Sequence, residues 1–403
     1  MEQIGSWKEQ LEALQARIAP RFARPEVRAR AGRYLWGLLE PVERRNGWQL
    51  AERIGEERPD GVQRLLNGAR WDAGEVRDDL RAYVVEHLGD PEAVLVVDET
   101  GFLKKGEKSV GVSRQYSGTA GKVENCQIGV FLAYATPRGG RAFLDRALYL
   151  PEEEWAKDES RREAAGIPEE VGFATKGELA RKMIERALEA EVPASWVTAD
   201  EVYANDGALR RWLEAQGRSY VLAVSRSHPL ATLLSGSRRA EEIVAEAPAE
   251  AWERVEVGAG SKGTRLYDWA RARLRYVTEE GWAQWLLVRR SVSSPEEMAY
   301  YRAYAPQETS LAELARVAAT RWSIEECFER AKGDVGLDHY EVRRWEGWHR
   351  HITLCLLAHA FLEATRIRAN GEEEKGPSVC QAAVEISLSR SAYSFLKTAS
   401  EIR

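Results

Sequence analysis

Residues 93–135 read AVLVVDETGFLKKGEKSVGVSRQYSGTAGKVENCQIGVFLAYA, and the reading of this stretch decides the fold. It opens on an apolar run, Ala93 to Val97, too short for a helix and rich in β-branched residues. That pattern predicts a strand buried on both faces. The run stops at Asp98 and Glu99, which places a carboxylate at the solvent end of a buried strand, where a cation can be held. Behind it lie Lys104, Lys105, Lys108, Arg114 and Lys122 against one acid, Glu107. A carboxylate for metal and a basic loop for phosphate suit a polyanion. A strand end followed by an ordinary charged hairpin has the same composition.

Working outward, 403 residues suffice for a large core and two or three domains. Hydrophobic residues make up 44% and charged residues 30%, the balance of a soluble globular chain. No apolar stretch approaches the roughly 18 residues that span a membrane. The first residues, MEQIGSWKEQLEALQARI, are amphipathic and charged, unlike a signal peptide. Cys126, Cys327, Cys355 and Cys380 have no paired spacing, so neither a zinc site nor a disulfide framework is indicated. A reducing cytoplasm is the expected compartment. The net charge of −6 does not exclude nucleic acid, because distribution outweighs the sum. Residues 21–45 carry seven arginines against three acids, enough for phosphate contacts or for solvated helix faces.

Residues 1–90 read as helical, with apolar spacing in Ile4–Ile18, Tyr34–Leu39, Val62–Leu66 and Val76–Leu88. From residue 91 the pattern is mixed. Strands are expected at Ser109–Tyr116, Gln127–Ala135 and Ala142–Leu150, then a helix over 176–190. A short strand, Trp196–Ala199, ends in Asp200, and Asn205 or Asp206 can cap the helix that follows. Ser219–Ser225 is another buried strand. A meander followed by β-α-β-α-β predicts an α/β fold with a ribonuclease H-like order. In that order the Asp98 and Asp200 strands are neighbours, although 102 residues separate them (200 − 98). Residues 226–305 read as a β-rich insertion between core parts 91–225 and 306–370, and 371–403 as a helical tail. Trp252, Trp269, Trp282 and Trp285 fill the insertion's core, or one of them stacks on an unpaired base.

In TRWSIEECFERAK, Thr320 to Lys332, helical geometry puts Arg321, Glu325 and Lys332 within about 40° of one another. Glu326 points roughly 140° from Arg321, so Glu325 is the better third metal ligand. A capping box from Ser323 to Glu326 would start the helix later and leave Arg321 off it.

Three motifs carry a family resemblance: VVDETGFLKKG around Asp98, VTADEVYA around Asp200, and RWSIEECFERAKGDVGLDHYEVRRWEGWHRHITLCLLAHAFL from Arg321. The chain resembles bacterial insertion-sequence transposases of the DDE class, in the branch with a Tyr-Arg-Glu-Lys signature. QLAERIGEERPDGVQRLLNGARWD in the helical region belongs to the same likeness. Arg321, Glu325 and Lys332 match the signature, whereas its tyrosine position holds Ala318. The resemblance implies a ribonuclease H-like catalytic core, a β insertion before the third acid and an N-terminal domain that binds transposon ends.

It further implies catalysis by Asp98, Asp200 and Glu325, which would hold two magnesium or manganese ions per active site. Arg321 and Lys332 would grip phosphates, with Lys104, Lys105 and Arg114 as further DNA contacts. The partner would be double-stranded DNA, both terminal inverted repeats and target, bound by a dimer in the bacterial nucleoid. Two other classes stand beside this one: a catalytically silent DNA-binding regulator derived from a transposase, and a metal-dependent nuclease without strand transfer.

Overall fold

A computed structural model of the chain describes residues 2–233, 236–260, 263–276 and 278–373. The helical tail expected over 371–403 lies mostly outside them.

Five helices come first: α1 (Glu2–Ile18), α2 (Pro25–Leu39), α3 (Gly47–Arg53), α4 (Asp60–Asn67) and α5 (Ala73–Leu88). Asn46 caps α3 by accepting from the amides of Trp48 and Gln49, and Asp72 caps α5 through Gly74. Each cap satisfies an amide that the first helical turn leaves unpaired. Next come β1 (Val94–Leu103), β2 (Ser113–Ser117), β3 (Lys122–Ala135) and β4 (Arg141–Leu148), then α6 (Glu159–Ala165) and α7 (Lys176–Glu189). Then follow β5 (Trp196–Ala199), α8 (Glu201–Ala204), α9 (Gly207–Ala215) and β6 (Ser219–Val224). Asp206, not Asn205, caps α9.

Residues 226–305 contain β7 (Pro229–Ala231), β8 (Ser237–Arg239), α10 (Ala240–Ala245), β9 (Glu253–Gly260), β10 (Gly263–Arg273), β11 (Trp282–Ser291) and β12 (Met298–Pro306). Three helices close the described chain: α11 (Leu311–Thr320), α12 (Ser323–Val335) and α13 (Trp345–Glu373).

The main sheet runs β2-β3-β1-β5-β6-β12-β11-β10-β9, with β4 also paired to β3. β1 is antiparallel to β3 and parallel to both β5 and, through it, β6. The meander and the strand-helix-strand order expected from the sequence are present, and β1 and β5 are neighbours as expected. One feature differs. The strands of the 226–305 segment do not form a separate body, because β12 pairs with β6 and carries the sheet outward through β11, β10 and β9. Backbone groups along the β6 edge are satisfied by the insertion's own last strand. α10 and the β7–β8 ribbon sit over a small satellite cluster around Leu230, Leu274 and Leu286.

The apolar run that opens β1 is at the centre. Ala93 to Val97 are each at most 1% exposed. Full burial of a valine or leucine side chain stabilises by about 1.5–3 kcal/mol, so this run anchors the strand that carries Asp98. α13 crosses the core with Trp348, Ile352, Leu354 and Leu356 fully buried, and it packs on α5 and β4. The N-terminal helices are therefore fastened to the sheet rather than hung from a linker. Buried Arg350 strengthens the joint by donating to the carbonyls of Leu66 and Trp71.

Candidate active site

The site begins where one ladder ends. The parallel pairing of β1 with β5 runs from Val94↔Trp196 to Val97↔Ala199. β1 does not end at Asp98 as the apolar run suggests: pairing with β3 carries it on to Leu103, so Asp98 lies mid-strand, just past its last rung with β5. Asp200 follows the end of β5, so the β1–β5 register brings the two carboxylates together. Asp98 Oδ1 accepts the amide of Glu99 at 2.8 Å. Asp200 caps α8, its Oδ1 accepting the amide of Val202 at 2.9 Å. Burial pushes the Asp98 carboxyl up to about 7, with the charge of Asp200 adding to it. Asp200 is also raised, first by burial and then by the charge of Glu99. Two buried carboxylates side by side each resist ionisation until a cation shares the space.

The third acid arrives differently. α12 starts at Ser323, so the later start is the one observed, and Arg321 lies just before it in helical backbone. The capping box itself does not form. Ser323 is the first residue of the helix, and its buried hydroxyl has no hydrogen-bond partner among the described residues. The Arg321 guanidinium lies 3.7 Å from Asp98 Oδ2 and 3.6 Å from Glu325 Oε1. One arginine thus bridges the first and third acids. Burial raises the Glu325 carboxyl, opposed by the Arg321 charge. Glu326 turns away and pairs with Arg141 of β4, as its helical angle requires. The position of the signature tyrosine, Ala318, is buried in α11, while Tyr301 of β12 lies close enough to feel the charge of Arg321.

Lys332, about two and a half turns along α12, donates to Thr100 Oγ1 at 2.8 Å and to Thr119 Oγ1 at 3.4 Å. Thr100 shares the Asp98 face of β1, because strand neighbours two apart point the same way. Arg321 and Lys332 therefore reach the strand that carries Asp98, and Glu325 meets Arg321. Lys104 has a different environment from the solvent-facing one expected for a phosphate contact. It sits 3.5 Å from the Tyr340 ring centre and donates to the Tyr340 carbonyl at 3.3 Å, and burial pulls its ammonium down to about 8. Lys105 and Arg114 are exposed.

Sequence reasoning passed over Glu99, whose carboxylate is held by Lys176 and Tyr203. No signal in the sequence pairs a glutamate with partners 77 and 104 residues away. It also passed over Trp322, beside Arg321 and 39% exposed. Of the insertion's tryptophans, Trp269 and Trp285 are core residues, Trp282 stacks on Tyr304 at 4.7 Å, and Trp252 lies under Arg290 at 4.0 Å.

Residues 17–277 match the sequence profile described as DDE superfamily endonuclease, about two thirds of the chain and both aspartates. The chain belongs to the DDE superfamily of endonucleases. The α/β core with its mixed sheet is the ribonuclease H-like fold expected for that superfamily. The chain is also similar to a probable transposase for insertion sequence element IS701 from Microchaete diplosiphon, 28% identical over 207 residues. The match covers 51% of each, so the chain spans about half the length of this curated relative. No helix among the described residues is long and apolar enough to cross a membrane.

DDE endonucleases use divalent metal ions, and the donor set here fits that use in part. Carboxylate oxygens are hard ligands, suited to magnesium or manganese. Asp98 and Asp200 bring two partly buried carboxyls, both raised by burial and by a neighbouring acid, to one point. Glu325 stands across the Arg321 guanidinium from them, and no three acidic, histidine or cysteine side chains among the described residues form a metal cage as they stand. The guanidinium occupies the place of positive charge between the acids.

Proposed function

We propose that the chain is a DNA transposase that cuts the ends of an insertion sequence and joins them to target DNA. Supporting this most directly is the placement of Asp98 and Asp200 as the first residues past the last β1–β5 rung, with Arg321 linking Asp98 to Glu325. Asp98, Asp200 and Glu325 are the residues that would hold two magnesium or manganese ions. Such ions activate an attacking oxygen and stabilise the leaving one in phosphodiester cleavage.

The chain's own contribution is placement and charge. The Asp98 backbone is held in the β1–β3 ladder and Asp200 by the α8 cap, which limits the reorganisation needed at each carboxylate. Arg321 has a planar fork suited to two phosphate oxygens, and leaving the acids for a DNA phosphate frees them. Lys332 brings a second positive charge over the Thr100 edge of β1, on the side where the scissile phosphate would lie. The same placement serves water in cleavage and a 3′-hydroxyl in joining. Exposed Lys105 and Arg114 give further phosphate contacts, and the N-terminal helices, clamped by α13, bind the transposon end as part of a DNA-bound dimer.

Joining of a labelled insertion-sequence end to a plasmid tests the reading. The wild-type chain cuts and joins, and Asp98→Asn binds the end without doing either. Cutting without joining would make the chain a simple nuclease, and binding alone a silent regulator. Cleavage by the Asp98→Asn variant would remove Asp98 from the metal site.

A further inference from the structure

Glu99 has no task in that chemistry, yet it is the most firmly held carboxylate near the site. It follows Asp98 directly in β1, and strand alternation turns its side chain away from the Asp98 face. Lys176 Nζ, at the first position of α7, donates to Glu99 Oε1 at 2.5 Å. Tyr203 Oη donates to Oε2 at 2.6 Å. The Glu99 side chain is 19% exposed and Tyr203 is fully buried, so both bonds lie largely out of water. Bonds to an ionised acceptor in such a place are the strong kind.

Their position gives them a purpose. The backbone ladder between β1 and β5 stops at Val97↔Ala199, and nothing in it sets the separation of Asp98 and Asp200 one residue further on. Those two carboxylates repel each other while no cation lies between them. Glu99 is the residue after Asp98. Tyr203 is the third residue of α8, the short helix that Asp200 caps. The Glu99–Tyr203 bond thus ties β1 to the short helix that follows β5, just past the point where the β1–β5 ladder gives out. Lys176 adds a third element, α7, and neutralises a carboxylate whose charge is felt at both Asp98 and Asp200.

We infer that Tyr203, Glu99 and Lys176 form a strut that sets the Asp98–Asp200 separation for divalent-ion binding, with Lys176 keeping Glu99 from becoming a competing ligand. This rests on Asp98 and Asp200 being the metal-holding pair. All three are positioning residues, acting through the two aspartates rather than on DNA.

The test is Mn2+ binding to the DNA-free full chain, followed by the electron paramagnetic resonance signal of free Mn2+, alongside end binding and cleavage. Tyr203→Phe and Glu99→Ala should each weaken Mn2+ binding about tenfold while end binding is kept. The double variant should be no weaker than Glu99→Ala alone, because both remove one bond. Glu99→Gln, whose amide oxygen still accepts from Tyr203, should stay within about threefold of wild type. Lys176→Met should bind Mn2+ as tightly or more tightly, yet cleave more slowly, since the freed Glu99 draws the ion aside. If Tyr203→Phe does not fold, the contrast between Glu99→Ala and Glu99→Gln decides alone. Wild-type Mn2+ affinity in Glu99→Ala, or additive losses in the double variant, would overturn the strut. Unchanged affinity and cleavage in Lys176→Met would overturn the role of Lys176. Unchanged Mn2+ binding in Asp98→Asn would instead show that the underlying metal assignment had failed.

Discussion

The Arg321 guanidinium lies 3.7 Å from the Asp98 carboxylate, the acid of β1 that is expected to hold metal. A guanidinium there competes with a divalent ion for the same negative charge. Two opposite charges about 4 Å apart interact by roughly 4 kcal/mol at an effective dielectric of about 20, before desolvation is counted. Arg321→Ala should therefore tighten Mn2+ binding to the DNA-free chain by about tenfold, the equivalent of ~1.4 kcal/mol. The same variant should cleave end DNA at least tenfold more slowly, because a phosphate contact is lost. Isothermal titration with Mn2+ and a gel cleavage assay check the two halves. Weaker Mn2+ binding in the variant would mean that Arg321 supports the acids rather than standing in for an ion.

Salt dependence separates the basic residues near β1. Exposed Lys105 and Arg114 can each neutralise a phosphate, and each such contact contributes about −0.9 to the slope of log affinity against log salt. Lys105→Ala and Arg114→Ala should each flatten the slope for duplex binding by about that amount. Lys104→Met should leave it unchanged, since Lys104 is spent on the Tyr340 ring and carbonyl. A flattened slope for Lys104→Met would return it to the DNA surface.

Lys332 and Thr100 give a finer distinction. Their 2.8 Å bond orients the ammonium over the Asp98 face of β1. Thr100→Val removes the acceptor and keeps the shape and charge, so cleavage should fall only a few-fold. Lys332→Met removes the charge and should cost at least a hundredfold, about 2.7 kcal/mol of barrier. Equal losses in the two variants, measured by single-turnover cleavage, would mean that the bond matters more than the charge.

The residues of the proposed site are picked out in the sequence by local signals. An apolar β-branched run followed by a carboxylate marks Asp98, a shorter one marks Asp200, and helical spacing puts Glu325 beside Arg321 while Glu326 turns to Arg141. What stayed hidden depends on which distant segment fills a space. Lys104 reads as a loop cation until Tyr340, 236 residues later, covers it. Glu99 gets no role from the sequence, because its partners Lys176 and Tyr203 come from α7 and α8. The strands of 226–305 read as an insertion with its own core, whereas the free edge of β6 recruits β12 into the main sheet. Edge pairing is a tertiary choice that no strand announces in its own residues.

The helix that fastens the two halves carries its own pH response. His351 and His359 of α13 are each 1% exposed, and burial pushes their imidazoles down to about 3 and about 4. An unfolded histidine takes a proton near 6.5, so below that pH the unfolded chain binds protons that the folded one refuses. Stability is thus full above pH 6.5 and falls as pH drops towards 4, by about 2 kcal/mol per histidine at pH 5. His351 is also tied to Tyr34 at 2.8 Å, so replacing it would break a second contact. His359 is the cleaner probe, because neither ring nitrogen has a hydrogen-bond partner among the described residues. Leaving such a group unpaired in a core costs about 1–3 kcal/mol. His359→Leu, similar in volume and next to Phe143, should hold or raise the thermal midpoint at pH 7.5. It should also remove about a third of the loss that α13 contributes between pH 6.5 and 5, because burial pushes His349 of the same helix down to about 3 as well. A variant that unfolds at neutral pH, or keeps the full acid slope, would show that His359 bonds to a group outside the described core.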